Sequence, residues 1–301
     1  MKHKFFKYFS IVILNIFLIA VFVELAAYID DLFERKAYEP YYPMQFKTFE
    51  DSYEHVTKNL MVKPIGLEYK NRPVVIMGCS FAYGYGIDVN DSFAGRLSEV
   101  MQRPVYNRGF EWAWGPQNML YQARREDFYK EVPNPEYLIF IAIDDHPNRV
   151  CAKHYWTRIW YPYLHYVMKN GRLEKDDWHF WDNLYAYKIY SNYKLSKMTD
   201  LERFNIFDEH LIEAKQEFDK HWKNYKFIVL FYAESEANWL MFFNNSNIKR
   251  LEENGIIVLD TKEITGRYMD EPEDTLEDKF HPSASAWEFI TPQVAKRLEE
   301  L

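Results

Sequence analysis

Only two cysteines, ten glycines and thirteen prolines occur in the 301 residues. So few cysteines cannot staple a scaffold of this length, and so little Gly and Pro excludes a fibrous or low-complexity chain. Basic residues are in deficit too: 37 Lys and Arg stand against 45 Asp and Glu, a net charge of -8, which argues against wrapping a nucleic-acid backbone. No nucleic-acid partner is expected. What abounds is apolar surface: hydrophobic residues make up 48% and aromatics 19%, too much for a disordered chain. The aromatic share points either to thick packing or to a surface that meets sugars or lipid.

The first segment to stand apart runs from Phe9 to Ala27 and is apolar except for Ser10, Asn15 and Glu24. As a helix it would be roughly 28 Å long, close to the hydrocarbon thickness of a bilayer. Lys2, Lys4 and Lys7 precede it, while Asp30, Asp31 and Glu34 follow. The positive-inside bias therefore places the N-terminus in the cytoplasm and the bulk of the chain in the periplasm or outside the cell. A cleaved signal peptide is the rival reading. The anchor is favoured because the run is long for a signal and Glu24 sits badly before a cleavage point at Ala26 or Ala27. A buried core helix fits less well, since the run is apolar all round.

Residues 30 to 71 carry Tyr38, Pro40, Tyr41, Tyr42 and Pro43 without a periodic run, and read as a connector. From Arg72 the pattern changes. VVIMG (74 to 78), YLIFIAI (137 to 143), FIVLFY (227 to 232) and IIVLD (256 to 260) are continuous apolar runs with helical stretches between them, the mark of a parallel sheet covered on both faces. Helices are expected after Asp91, over Gln117 to Tyr129, over Asp208 to Trp222, and from Ser283 to Leu301. In the last, Trp287, Ile290, Val294 and Leu298 recur at helical spacing, and Pro292 is a point for a kink. The expected fold is α/β, a three-layer sandwich around a central parallel sheet. Residues 1 to 29 form the anchor, 30 to 71 the connector and 72 to 301 the domain. Between about 151 and 205 an aromatic-rich insertion interrupts the alternation, with Asn170-Gly171 as a hairpin turn. Its aromatics could line a sugar groove or touch a membrane surface, but core cover is the commoner use.

Two segments carry candidate chemistry. GCSFAYGYG (78 to 86) follows the first strand, so Ser80 would sit on a turn beyond a strand's carboxyl end, where ligands of doubly wound sheets bind. DKFHPS (278 to 283) places Asp278 three residues before His281, a spacing at which the carboxylate can orient the imidazole. Agreement of these features over the chain argues for a Ser-His-Asp triad. A metal site from Asp144, Asp145, His146 and His281 has suitable ligand types but no compact spacing, and no metal or cofactor is expected. His154, His165 and His179 read as surface or packing residues.

Over residues 72 to 301 the pattern resembles the SGNH or GDSL-like hydrolase superfamily, whose fold is flavodoxin-like. Gly78-Cys79-Ser80 stands where the family writes GDS, and Asp278 with His281 matches its DxxH. The resemblance implies Ser80 as nucleophile, His281 as base and Asp278 as orienting acid. It also implies an oxyanion hole made by the Ser80 amide and by a glycine matched to Gly109 in YNRGFEWAWGPQN, where Gly115 and Gln117 follow. The family's third donor is an Asn in GxND; here the corresponding run is Ala142-Ile143-Asp144-Asp145. An ionised Asp144 can only accept, and would repel an oxyanion. Three resolutions are open. Asp144 is held protonated beside Asp145, or it points elsewhere, or Arg149 or His146 donates instead. Cys79, in the place of the family's Asp, reads as a packing residue; its pairing with Cys151 is conceivable in an exported protein. The resemblance implies an esterase or O-acyltransferase working through an acyl serine, with cell-envelope or extracellular carbohydrate esters as substrates. The alternative is an SGNH-like domain that has lost its chemistry and serves as a binding or assembly module in an envelope complex.

Overall fold

The computed structural model describes residues 12–29, 61–62, 71–110, 115–151, 165–176 and 184–301. The charged flanks of the apolar run (Lys2, Lys4, Lys7, Asp30, Asp31 and Glu34), most of the connector, His154 and His179 lie outside them. Helix α1 (Val12–Ile29) is long and apolar enough to cross a membrane.

The central sheet is built from β1 (Met61–Val62), β2 (Val74–Gly78), β3 (Val105–Gly109), β4 (Tyr137–Ala142), β7 (Lys226–Phe231) and β8 (Ile256–Asp260), in the order β1-β3-β2-β4-β7-β8. The last five are parallel, and β1 adds an antiparallel edge opposite Val105 and Tyr106. This is the α/β arrangement expected, with one addition: the connector contributes an edge strand. A separate hairpin, β5 (Tyr166–Lys169) and β6 (Arg172–Lys175), turns at Asn170 and Gly171, whose φ angles of 51° and 76° suit the left-handed turn.

Alternate residues of each strand feed opposite layers. Val75, Met77, Leu138, Phe140, Val229 and Phe231 join one buried cluster, and Val74, Ile76, Ile139, Ile141, Ile228 and Leu230 the other. Each face therefore needs cover, which is why the strands read as unbroken apolar runs. The first face carries α4 (Pro116–Ala123), α5 (Glu126–Glu131), α8 (Asp200–His221), α9 (Glu236–Asn245) and α10 (Ile248–Glu253). The second carries α2 (Ser80–Tyr83), α3 (Phe93–Met101) and the final helix α12 (Ala284–Glu299), whose Trp287, Ile290, Val294 and Leu298 are all buried. Four short elements complete the described chain: α6 (His146–Cys151), α7 (Tyr185–Leu195), α11 (Thr261–Thr265) and the 3-10 turn Pro272–Asp274. The helix expected over 117 to 129 is two helices, because Arg124 and Arg125 leave helical geometry there and Arg124 pairs with Glu213 at 2.7 Å.

Glu213 also accepts the Leu173 amide at 2.5 Å, so the hairpin of the aromatic insertion is tied to α8, with Tyr166 and Leu173 buried against the first cluster. Cys79 is buried and Cys151 half-buried, and both are free thiols, so the conceivable disulfide is not formed.

The segment leading to DKFHPS is held from behind. Asp274 is buried and receives both guanidinium nitrogens of Arg267, at 2.5 and 2.9 Å, and the Glu271 amide at 3.2 Å. Arg267→Ala leaves a buried carboxylate without its partner and should lower stability by about 3 kcal/mol. Urea unfolding checks this; a midpoint equal to wild type contradicts it.

Candidate active site

Strand β2 has β3 on one side and β4 on the other, which makes the carboxyl ends of β2 and β4 the switch point of the sheet. Ser80 stands there as the first residue of α2. Cys79 before it is extended, at φ -87° and ψ -155°, so the chain turns sharply from strand to helix at the serine. As the first amide of a helix, the Ser80 N–H has no helical carbonyl to bond.

From the other end of the domain comes the turn 275 to 282, closed by a bridge between Thr275 and Pro282 and by the Leu276 N–H donating to the His281 carbonyl at 2.8 Å. Asp278 Oδ1 accepts the amides of Phe280 and His281 at 2.9 and 3.0 Å, and its Oδ2 lies 2.5 Å from His281 Nδ1. The opposite nitrogen, His281 Nε2, is 2.9 Å from Ser80 Oγ. Serine, imidazole and carboxylate thus form one continuous hydrogen-bonded line.

The imidazole is partly covered by aromatic rings. Tyr85 lies over it with centroids 4.5 Å apart, and Phe280 and Phe81 stand at 5.0 and 5.7 Å. Burial lowers the His281 pKa below its ordinary value and outweighs the opposing pull of Asp278, so the ring is neutral at pH 7 and can accept a proton. Burial acts on Asp278 in the opposite sense, but its hydrogen bonds to His281 and to the amides of His281 and Phe280 prevail and hold the carboxyl below the usual range. Tyr85 and Phe280 escaped the sequence reading because an aromatic beside a motif carries no signal until the two loops meet.

Gly109 takes a different place from the one its motif implies. Its N–H donates to Asn107 Oδ1 at 2.9 Å and is not free to face an oxyanion. A Cβ there would come within 2.3 Å of the Tyr83 nitrogen, so the glycine serves to let β3 and α2 touch. The buried Asn107 amide completes the clamp by donating to the Tyr83 carbonyl at 3.2 Å. Gly115 is likewise engaged, its N–H pointing at Asn118 Oδ1 at 3.2 Å. Residues 111–114 lie between these two glycines and outside the described residues.

The acidic end of β4 is also resolved in part. Asp145 pairs with the buried Arg149 at 2.6 Å, and His146 is fully buried with its ring 5.3 Å from Phe140. Burial, with the neighbouring Asp145 charge, pushes the Asp144 pKa up to about 6. The register of β4 and β7 brings Glu234 alongside, and its own pKa rises to about 8 through burial and the charges of Asp144 and Asp145. Among the described residues no three His, Cys, Asp or Glu side chains are disposed to hold a metal, and the tetrad of Asp144, Asp145, His146 and His281 does not assemble.

No family model and no curated protein matches the sequence. The chain is similar in fold to several solved structures. A lipolytic protein of the G-D-S-L family from Desulfitobacterium hafniense is 13% identical, with a TM-score of 0.47 over 75% of this chain and 99% of that one. The acetyl xylan esterase Est2A from Butyrivibrio proteoclasticus is 12% identical, with a TM-score of 0.48 over 78% of this chain and 64% of its own. A family two carbohydrate esterase from Clostridium thermocellum, solved with cellohexaose, is 8% identical, with a TM-score of 0.46 over 78% and 65%.

A neutral carboxyl can donate where a carboxylate cannot, so if Asp144 holds the place the resemblance gives it, it suits an oxyanion below about pH 6 and opposes one above it. Asp144→Asn, a donor at every pH, should raise kcat/KM on an acetyl ester about 10- to 100-fold at pH 8 and little at pH 5.5. Equal effects at both pH values would place Asp144 away from the developing charge.

Proposed function

We propose that this chain is a serine esterase of the SGNH type, anchored by its N-terminal helix, with its domain facing the periplasm or cell exterior and acting on acyl esters of envelope or extracellular carbohydrate. The observation that carries the reading is the 2.9 Å approach of Ser80 Oγ to His281 Nε2 with Asp278 behind the ring. Ser80 attacks the ester carbonyl while His281 takes its proton, and Asp278 holds the ring in the tautomer whose Nε2 is free to accept. The Ser80 amide stabilises the oxyanion. His281 then returns the proton to the leaving alcohol, and an acyl serine remains. Water, activated by the same nitrogen, releases the acid; a sugar hydroxyl in its place would give O-acyl transfer.

A second reading, a binding or assembly module without turnover, draws support from Asp144 at the end of β4 and from the engaged N–H of Gly109. Hydrolysis of a chromogenic acetyl ester separates the two. The enzyme reading expects turnover that falls at least 10³-fold in Ser80→Ala and to about the same degree in His281→Ala, since the members act as a unit. Absent turnover in wild type over pH 5 to 9 would favour the module, and a mild loss in His281→Ala would remove that residue from the reaction.

A further inference from the structure

Glu24 is out of place in an apolar run, and the fold gives it a partner: its Oε2 accepts the N–H of Ala186, in the first turn of α7, at 3.0 Å. The acid thereby sits at the positive end of a helix dipole. Ala27, one turn further along α1, is buried while most neighbouring side chains of α1 are exposed. Glu24 lies five residues before the end of α1, a rise of about 7.5 Å, on the side of the run nearest the domain.

Helix α7 turns Leu195 inward and leaves Tyr190 and Tyr193 exposed at 50% and 57%. Lys194 Nζ lies 5.3 Å from the Tyr190 ring and Lys197 Nζ 5.1 Å from the Tyr193 ring. Residues 185 to 197 hold three lysines and no acid, although the chain as a whole carries a net charge of -8. Tyrosines with an apolar body and a polar tip, interleaved with lysines, suit the boundary between hydrocarbon and phosphate. A sugar platform would want open ring faces, and here an ammonium occupies one face of each ring.

We propose that the exposed face of α7 rests on the headgroup layer of an anionic phospholipid membrane, beside the anchor to which Glu24 ties it. The proposal rests on the reading of α1 as a membrane span. Tyrosine rings enter the interface and the lysine ammoniums meet lipid phosphates, so the domain has a fixed orientation over the bilayer instead of swinging on a tether.

The test uses the full chain in phosphatidylcholine vesicles with and without phosphatidylglycerol, carrying photoreactive p-benzoylphenylalanine singly in place of Tyr190, Tyr193, Phe17 or Val100. Phe17 on α1 reports the span, and the exposed Val100 on α3 reports a surface away from it. Phospholipid adducts at 190, 193 and 17 but not at 100, with the adduct at 193 falling at least fivefold in a Lys194→Glu, Lys197→Glu background in the anionic vesicles, are the expected result. Adducts at 17 with none at 190 and 193, or crosslinks there to a second copy, overturn the docking and leave the anchor standing. No lipid adduct at 17 overturns the span, and the docking with it.

Discussion

One hydrogen bond, from Ser80 to His281, joins residues 201 positions apart and gives the site its meaning. Everything around it serves to make that contact at the rim of the sheet. The parallel β2 ends at the switch point and delivers the serine; Gly109 lets α2 lie against β3; the Asn107 amide holds α2 by its Tyr83 carbonyl. On the other side, the pair of Arg267 with the buried Asp274 and the Asp278 turn fix the imidazole before α12 begins. Partial burial against Tyr85, Phe81 and Phe280 disfavours the charged form of the histidine.

The rim is otherwise acidic. Asp144, Asp145 and Glu234 gather at the ends of β4 and β7 with Arg149 as the cation that pairs with Asp145. Burial raises two of these carboxyls, so the protonation of the rim depends on pH in the range where the imidazole works.

Much of this could be read from residues in order. Four of the five parallel strands are unbroken apolar runs, because both faces are covered. The fifth, β3, hides its burial behind Asn107 and Arg108, whose polar ends are satisfied by Gly109 and Tyr83 in one case and by Glu131 at 2.6 Å in the other. Ser80, Asp278 and His281 were legible because their chemistry is local in spacing and the topology supplies the rest. Gly109 was legible as essential but not in its use: a sequence shows that a side chain is absent, and only packing shows whether the space or the amide is needed. Glu234 had no local signal at all, since strand register alone brings it to Asp144. Glu24 could be seen as an anomaly of the apolar run, while the partner that explains it lies 162 residues away.

Ser80 is proposed as a nucleophile because His281 accepts its proton. Treating the full chain with a fluorophosphonate and mapping the adduct by peptide mass spectrometry tests it most directly. One modified serine, Ser80, is expected, at a rate that falls at least 10²-fold in His281→Ala. Modification of a different serine, or labelling of Ser80 at an unchanged rate without His281, would contradict it.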